Sequence, residues 1–468
     1  MLKGLERYLQ GMSHLRTYSL LLGVLIPLCA FAQEDGGLVL TESEATRIAI
    51  TGNPLVNASD AEVEASRAGL RAAWGHYIPK VKVRSLLSAL PELRGDAVSG
   101  YTDMDLDKWG PFFRVQVTTT SPIYAFGQLS SLREEVRSQK AQAFARRTIL
   151  TQELTYQVKR AMEGWRLARS LGDILEEGRG HLSKARARLE ELEEEDSDEF
   201  DQIDLLKLRV YESELVRRET EVEEGVVAAR EGLRLALGFG QDAPFTLERW
   251  KLKMWEFELK PLLEYQELAV AHHGELIHAR AQVRERRAAV DVAKTQMYPS
   301  FGLDSFYRYS VAPSAQDQAS PFAYDPYNQQ EVGVGLSLSW NLAFGESLAR
   351  LDQKQALERA ESFRYLDRVA KVRMAVAEIY EVVSEARRLQ AVNRKALKSA
   401  RAWLMAKSDL YDGGLCPLEE LNDALLAYFE RKIGYEQAVH DHNVAAARLE
   451  QLIGGGLNGD ELPESARP

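Results

Sequence analysis

The chain has 468 residues, with 59 Lys and Arg against 70 Asp and Glu, a net charge of −11. Without a basic stripe, that balance leaves no footing for a nucleic-acid partner. No stretch after the leader is apolar for long enough to cross a bilayer as a helix, so the chain looks soluble by hydropathy, an impression that misleads if the membrane part is a β-barrel, whose signal per strand is weak.

Residues 1–32 read as a Sec-type signal peptide: Arg16, an apolar run from Leu20 to Leu28, then Ala30-Phe31-Ala32 as the cleavage site before Gln33. Met12 is an alternative start. Bulky Leu28 stands before Cys29 where a lipid-attachment motif expects a small residue. Cleavage after Ala32 removes Lys3, Arg7, Arg16 and Glu6, leaving 56 basic and 69 acidic residues, a net of −13. It also leaves Cys416 as the one cysteine, with no intramolecular disulfide to make.

Residues 41–77 form an Ala-rich helix in which Ala61, Ala65, Ala68 and Ala72 offer a face for close helix approach. Strands follow. Val81, Val83 and Ser85 alternate with Lys82 and Arg84, and Phe113, Val115, Val117 and Thr119 alternate with Arg114, Gln116 and Thr118. The polar stretch 90–108 between them reads as a hairpin loop. Residues 128–195 contain no proline, and Leu150, Leu154, Val158, Ala161, Trp165, Ala168, Leu171 and Leu175 recur at steps of four and three. That predicts one helix about 100 Å long, at ~1.5 Å per residue. It ends in an acidic turn with no basic residue inside it, including Glu194, Glu195 and Asp196, and residues 203–237 return as a helix about half as long. After a linker at 241–261, the pattern runs again. There is a helix at 262–297, then Phe301, Leu303, Tyr307 and Tyr309 on one parity with Asp304 and Arg308 on the other. A loop at 311–330 follows, then Val332, Val334, Leu336, Leu338 and Trp340 against Gly333, Gly335, Ser337 and Ser339. A long helix at 346–411 carries the seam Val372, Val376, Ile379, Val383, Ala386 and Leu389, and 418–453 returns.

The recurrence is literal in places. Tyr77-Ile78-Pro79 is answered by Met297-Tyr298-Pro299, Ala125-Phe126-Gly127 by Ala343-Phe344-Gly345, and Leu235-Ala236-Leu237-Gly238 by Gln451-Leu452-Ile453-Gly454, at offsets of 220, 218 and 216. A period this long predicts two equivalent halves: a first repeat at 33–240 (helix, β-hairpin, long helix, return helix), an equatorial linker at 241–261, a second repeat at 262–457 and a flexible tail at 458–468. The helices alone are consistent with an exported coiled-coil scaffold without a pore. The strands are not, because no second apolar layer remains to cover them. Lipid outside and water inside is the alternative. Four strands cannot close a barrel and open edges are not tolerated in hydrocarbon, so several chains have to pool them.

These residues resemble the TolC-like outer-membrane efflux protein family over about residues 38–457. Leu40-Thr41-Glu42-Ser43-Glu44-Ala45 with Gly52-Asn53-Pro54 is similar to the family's opening helix. Ser121-Pro122-Ile123-Tyr124-Ala125-Phe126-Gly127-Gln128 is similar to its strand-to-helix phrase, and Tyr411-Asp412-Gly413-Gly414-Leu415 with Glu420-Leu421-Asn422-Asp423-Ala424 to its periplasmic tip. The resemblance implies a mainly α chain with a small membrane β part: a homotrimer with a trimeric α-barrel and a shared twelve-stranded β-barrel in outer-membrane lipid, four strands per protomer. It also implies a periplasmic adaptor and an inner-membrane pump as partners, small-molecule efflux as the function, and a type I protein-secretion duct as the alternative. Three departures stand out. His272-His273-Gly274-Glu275 replaces the Gly-Asn-Pro signature in the second half, acids replace the Gly-Leu phrase at the first tip, and Cys416 stands at a latch position.

The resemblance places Asp423, Glu420 and Tyr411 at the gate. Glu420 and Asp423 share one helix face at a spacing of three, and crowded carboxylates there would raise one another's pKa values and attract cations. It places Gly413, Gly414 and Leu415, with the acidic turn Glu194, Glu195 and Asp196, at the adaptor-docking tip. Lys82, Arg84, Arg114 and Arg308, on the polar strand parity, are expected to line the barrel lumen. The plain alternatives are acids favouring a helix start after Pro417 and a solvated inter-helix turn. No enzyme reading survives: His440 and His442 point to different helix faces, His272, His273 and His278 do not form H-E-x-x-H, and Gly238-Phe239-Gly240 ends a helix rather than opening one. No cofactor or metal is expected.

Overall fold

The computed structural model describes residues 38–96, 98, 101–195, 202–240, 243–248, 251–318, 320, 322–413, 415–416 and 418–457. The leader at 1–32, the tail at 458–468, and Asp196 and Gly414 lie outside the described residues.

The chain divides into two units. The smaller contains a parallel two-stranded sheet of β1 (Leu38–Leu40) and β4 (Phe245–Leu247), with Leu38 opposite Phe245 and Leu40 opposite Leu247. Sequence reading takes 241–261 as a linker throughout, because a strand of three residues shows no period.

The larger unit runs through one element order twice. In the first pass α1 (Glu42–Gly52) and α2 (Pro54–Trp74) lead to β2 (Lys80–Asp96), β3 (Tyr101–Tyr124), α3 (Gln128–Glu194) and α4 (Gln202–Leu237). In the second, α5 (Leu262–His272) and α6 (Gly274–Thr295) lead to β5 (Ser300–Val311), β6 (Gln329–Ser339), α7 (Phe344–Asp412) and α8 (Leu418–Ile453).

The helix at 41–77 is broken in two. Thr41 opens α1 with a capping box, exchanging backbone-to-side-chain bonds with Glu44, both 3.2 Å. At Asn53 the backbone turns extended (φ −67°, ψ 128°) before Pro54 starts α2. The Asn53 side-chain oxygen accepts from the Leu55 N–H at 2.9 Å, and its amide donates to the Ala236 carbonyl at the end of α4, also at 2.9 Å. Gly238 closes that joint with φ +72°; a Cβ there would lie 2.7 Å from Pro54 Cδ. The second repeat rebuilds the joint with other residues. His273 adopts φ −66° and ψ 125° without a side-chain cap, and Gly454, at φ +76°, packs so close that a Cβ would meet the His272 carbonyl oxygen at 2.5 Å. The Gly-Asn-Pro phrase has decayed there, but the geometry it encodes has not.

α3 has 67 residues and α7 has 69, about 100 Å each. α3 is flanked by α1 and α2 along one stretch and by α4 along the other, and also packs on α6 and α8. α7 is flanked by α5 and α6, and then by α8. Each long rod is thus matched by shorter helices placed end to end. The seams bury Leu154, Val158, Ala168 and Leu175 on α3 and Val372, Val376, Val383 and Ala386 on α7. The three valines of the α7 set pack with Tyr265, Leu276, Leu449 and Ile453. Fully burying such a side chain contributes about 1.5–3 kcal/mol. Leu389 departs from its seam and is exposed, and so is the alanine face of α2, which buries Val56 and Val63 instead.

Residues 251–260 run without regular structure along the helices. Asn443 pins them: its amide donates to the Lys253 carbonyl (2.7 Å) and to Glu163 (2.8 Å), while its oxygen accepts from the Trp255 N–H (2.9 Å). Glu163 is fully buried and ion-paired with Arg166, which also reaches Glu42 at 3.1 Å. Arg387 donates to the Phe257 carbonyl at 2.8 Å and lies 4.9 Å over its ring.

The sheet is antiparallel in the order β2-β3-β5-β6. The expected loop at 90–108 is instead largely strand. After a bulge at Pro91, β2 and β3 stay paired to Asp96 opposite Tyr101. The loop expected at 311–330 is real, and it stabilises that extension. Ser314 O and the Gln316 N–H bond the Leu93 backbone at 3.0 and 2.9 Å, over a small core of Leu93, Phe112, Ala312 and Ala315.

Candidate functional site

Residues directly opposite in a sheet share a face, so the register sorts every strand residue. One face carries Val81, Val83, Ser85 and Leu87 of β2, Phe113, Val115, Val117 and Thr119 of β3, Leu303, Ser305, Tyr307 and Tyr309 of β5, and Val332, Val334, Leu336 and Leu338 of β6. It has no charge, and it is open: Val332 is 78% and Leu336 80% exposed. The other face brings Lys82, Arg84, Arg114 and Arg308 together, as the alternation predicts. Arg84, Gln116, Arg308 and Glu331 stand in one row across the four strands, and Arg308 donates to Glu331 at 2.8 Å. Arg114 donates to the Pro326 carbonyl at 2.8 Å and stacks over Phe112 at 5.0 Å. β2 and β6 are the edges; neither has a second strand partner among the described residues.

Aromatic residues gather where strands become helices. Phe126 lies in the left-handed region at φ 46°, followed by Gly127 at 83°, and this kink delays α3 until Gln128. It stacks Phe126 on Tyr298 at 5.2 Å and sets it against Tyr124 at 4.8 Å. Ala343 makes no such kink, so α7 starts at Phe344, two residues ahead of the expected start. Trp340 donates to the Met297 carbonyl at 3.1 Å.

At the far end α7 stops at Asp412. The Gly413 N–H donates to Asp409 O at 3.3 Å and the Leu415 N–H to Leu410 O at 2.8 Å, a pattern of helix-terminating bonds. Leu415 is then 78% exposed, an isolated apolar side chain on the turn. Tyr411 is half-buried in the last turn of α7. Glu420 and Asp423 are both exposed on α8. Within the single chain Glu420 has a basic partner. It pairs with Lys407 across the α7–α8 turn, and that hydrogen bond and charge hold its carboxyl below the usual range; Cys416 Sγ lies 3.7 Å from the same oxygen. Asp423 has no ion pair among the described residues, and Glu419, beside Glu420, reaches Lys207 of α4 at 3.7 Å. On the other turn Glu194 ends α3 and Glu195 caps it through its N–H to Glu191 O at 3.0 Å; both are exposed.

Sequence reasoning missed Lys407, which lies thirteen residues before Glu420 and meets it only through the helical hairpin. It also missed Lys432, which pairs with Glu177 of α3, and the buried Glu163–Asn443 pair. None has a local motif that marks it. Among the described residues no helix is long and apolar enough to cross a membrane, and no group of three or more His, Cys, Asp or Glu side chains is placed to hold a metal ion.

The outer membrane efflux protein family model matches residues 266–455. No curated protein matches the chain by sequence. Solved structures match by fold. The outer membrane protein VceC of Vibrio cholerae superposes with a TM-score of 0.72 at 13% identity, covering 89% of this chain and 96% of its own. CusC, described in connection with transmembrane channel formation, gives 0.71 at 16%, covering 91% and 96%. The open-state MtrE outer membrane channel of Neisseria gonorrhoeae gives 0.69 at 14%, covering 90% of each. The second repeat thus matches the outer membrane efflux protein family in sequence, and the chain shares the fold of these solved channels over nearly its whole length.

Proposed function

We propose that the chain is a passive outer-membrane exit duct for small molecules, assembled as a homotrimer and fed by a periplasmic adaptor and an inner-membrane pump. One observation carries the reading: a four-stranded sheet with an uncharged, open face, a charged opposite face and two free edges. In hydrocarbon each unpaired edge N–H or C=O costs several kcal/mol. Joining β6 of one chain to β2 of the next, three times over, removes every edge and turns the charged face to water. The helices support the same assembly. The alanine face of α2 is open within one chain, and so are Phe363, Leu366, Met374 and Val392 on α7.

Two repeats, 33–240 and 262–457, joined by 241–261, build each protomer. Asp423, Glu420 and Tyr411 form the gate, and Lys82, Arg84, Arg114 and Arg308 line the outer lumen. Leu415 with Gly413 and Gly414, and the acids Glu194, Glu195 and Asp196, meet the adaptor, where charge mainly guides encounter and register. The chain is a channel rather than an enzyme, and the work comes from the pump. Opening untwists the tip helices once adaptor contacts outweigh the closed-state latch, to which the Lys407–Glu420 pair across the α7–α8 turn contributes. Planar-bilayer conductance of the purified full chain tests the pore. Deletion followed by drug-accumulation and protein-secretion assays tests the cargo: raised drug accumulation with normal secretion is expected, and lost secretion with normal accumulation refutes small-molecule efflux.

A further inference from the structure

The polar face of the sheet carries a charge imbalance that a duct does not by itself require. Up to the Pro91 bulge it holds Lys80, Lys82, Arg84, Arg114 and Arg308 against Asp304 and Glu331, while the opposite face holds no charge. The whole chain is acidic, at −11, so this positive surplus is local. Glu331 is already paired with Arg308, and the Asp304 Oδ1 atom is buried without a hydrogen-bond partner rather than turned to a cation. Lys80, Lys82 and Arg84 are exposed on edge strand β2 and form no ion pair among the described residues. The other edge supplies little to neutralise them. On the same face β6 presents Gly333, Gly335 and Ser337, with Phe306 folded over Gly333 so closely that a Cβ there would lie 2.5 Å from its ring. Beyond the bulge the balance reverses: Glu92 takes both Arg94 (2.7 Å) and Lys108 (3.6 Å), and β3 adds Asp103, Asp105 and Asp107.

We infer that this face makes the barrel lumen between the helices and the Pro91 bulge anion-attracting, which favours solutes carrying carboxylate, sulfonate or phosphate groups. The inference rests on the duct reading, because only barrel closure turns the face inward. Closure places three copies of the basic stripe around one water column with low-dielectric walls, where fields of one sign add and concentrate counter-ions. Screening at physiological salt acts over about 8 Å, so the effect is strongest near the wall. Rings of Lys and Arg are the arrangement that gives pores anion preference, and the sign is opposite to that of Glu420 and Asp423 at the tip.

The test uses the full chain as a trimer in detergent and pyrenetetrasulfonate as probe, read by fluorescence anisotropy, because the outer mouth is reached without opening the tip. Binding that strengthens as salt falls is expected. It is lost in Lys80→Gln/Lys82→Gln/Arg84→Gln and kept in Lys80→Arg/Lys82→Arg, which also guards against misfolding as the cause. Equal binding by the parent and the Gln variant, or none by the parent, overturns the inference. Reversal potentials in a KCl gradient give a second reading: the Gln variant shifts toward the potassium potential, and an unchanged potential overturns the inference. A protein that stays monomeric and never conducts refutes the duct itself, and this is seen before dye is added.

Discussion

Val334 lies in the middle of β6, on the uncharged face, and is largely exposed in the single chain. Its neighbour Gly335 lies on the charged face, with no atom within 4 Å of where a Cβ would stand. If the uncharged face meets lipid, Val334→Arg costs about 2–4 kcal/mol per chain, the penalty for a cation near the midplane of a membrane barrel, and about 6–12 kcal/mol for a trimer. Gly335→Arg puts the same charge into water and has room for it, so its effect stays within about 0.5 kcal/mol. If the sheet instead lies in water, both substitutions are surface changes and both fall within that range. The assay is assembly of the purified variants into bilayers across a urea series, scored by the fraction reaching the trimer. The reasoning predicts that Val334→Arg fails where Gly335→Arg and the parent succeed. Equal behaviour of the two arginines would falsify the assignment of the faces.

At the tip, Lys407→Ala and Glu420→Gln each remove one half of the pair that spans the α7–α8 turn, and single-channel conductance is expected to rise in both. The Glu420 carboxyl is lowered by Lys407 and the Lys407 ammonium is raised by Glu420, so the pair persists across neutral pH. Its stabilisation is present above the ordinary carboxylate range and lost as pH falls through the depressed Glu420 value. Conductance should therefore be flat from pH 6 to 8 and rise only in strong acid. Burial pushes the imidazoles of His442, His273 and His278 down. A folded-state value below the unfolded ~6.5 means that the unfolded chain binds more protons, so stability should fall as pH drops from 7 to 5. His442→Gln should flatten part of that slope in urea titrations, and an unchanged slope refutes the assignment. Gly238→Ala and Gly454→Ala each force a Cβ into neighbouring backbone at positive φ. Each should cost about 1–3 kcal/mol, measured as a lowered urea midpoint.

The helices and strands were legible because burial imposes a period: three and four along Leu154, Val158 and Val372, Val376, two along Val332 to Leu338. The duplication was legible for the same reason. The joint at His273 was not legible because the sequence signal is the cap and the proline, whereas the fold needs only an extended residue there and a glycine at 454 with no Cβ. The extension of β2 past Pro91 was hidden because its residues are polar and its stability comes from backbone bonds to Ser314 and Gln316, far along the chain. The tip pair Lys407–Glu420 and the buried Glu163–Asn443 contact join separate helices, and a periodic pattern on one helix says nothing of which polar side chain faces a partner. The alanine face of α2 had the right periodicity for helix approach, yet nothing among the described residues of the chain covers it.

The central claim is that the sheet edges meet between chains. A chain carrying Leu336→Cys on β6, one of Val81→Cys, Val83→Cys, Ser85→Cys or Leu87→Cys on β2, and Cys416→Ser tests it by oxidation in the membrane and denaturing electrophoresis. All four β2 positions share the face of Leu336. The account predicts that at least one pairing traps a covalent trimer, and that no such product forms when the two cysteines are placed singly. Covalent monomers with an internal bridge, or no cross-link at any of the four positions, would contradict it.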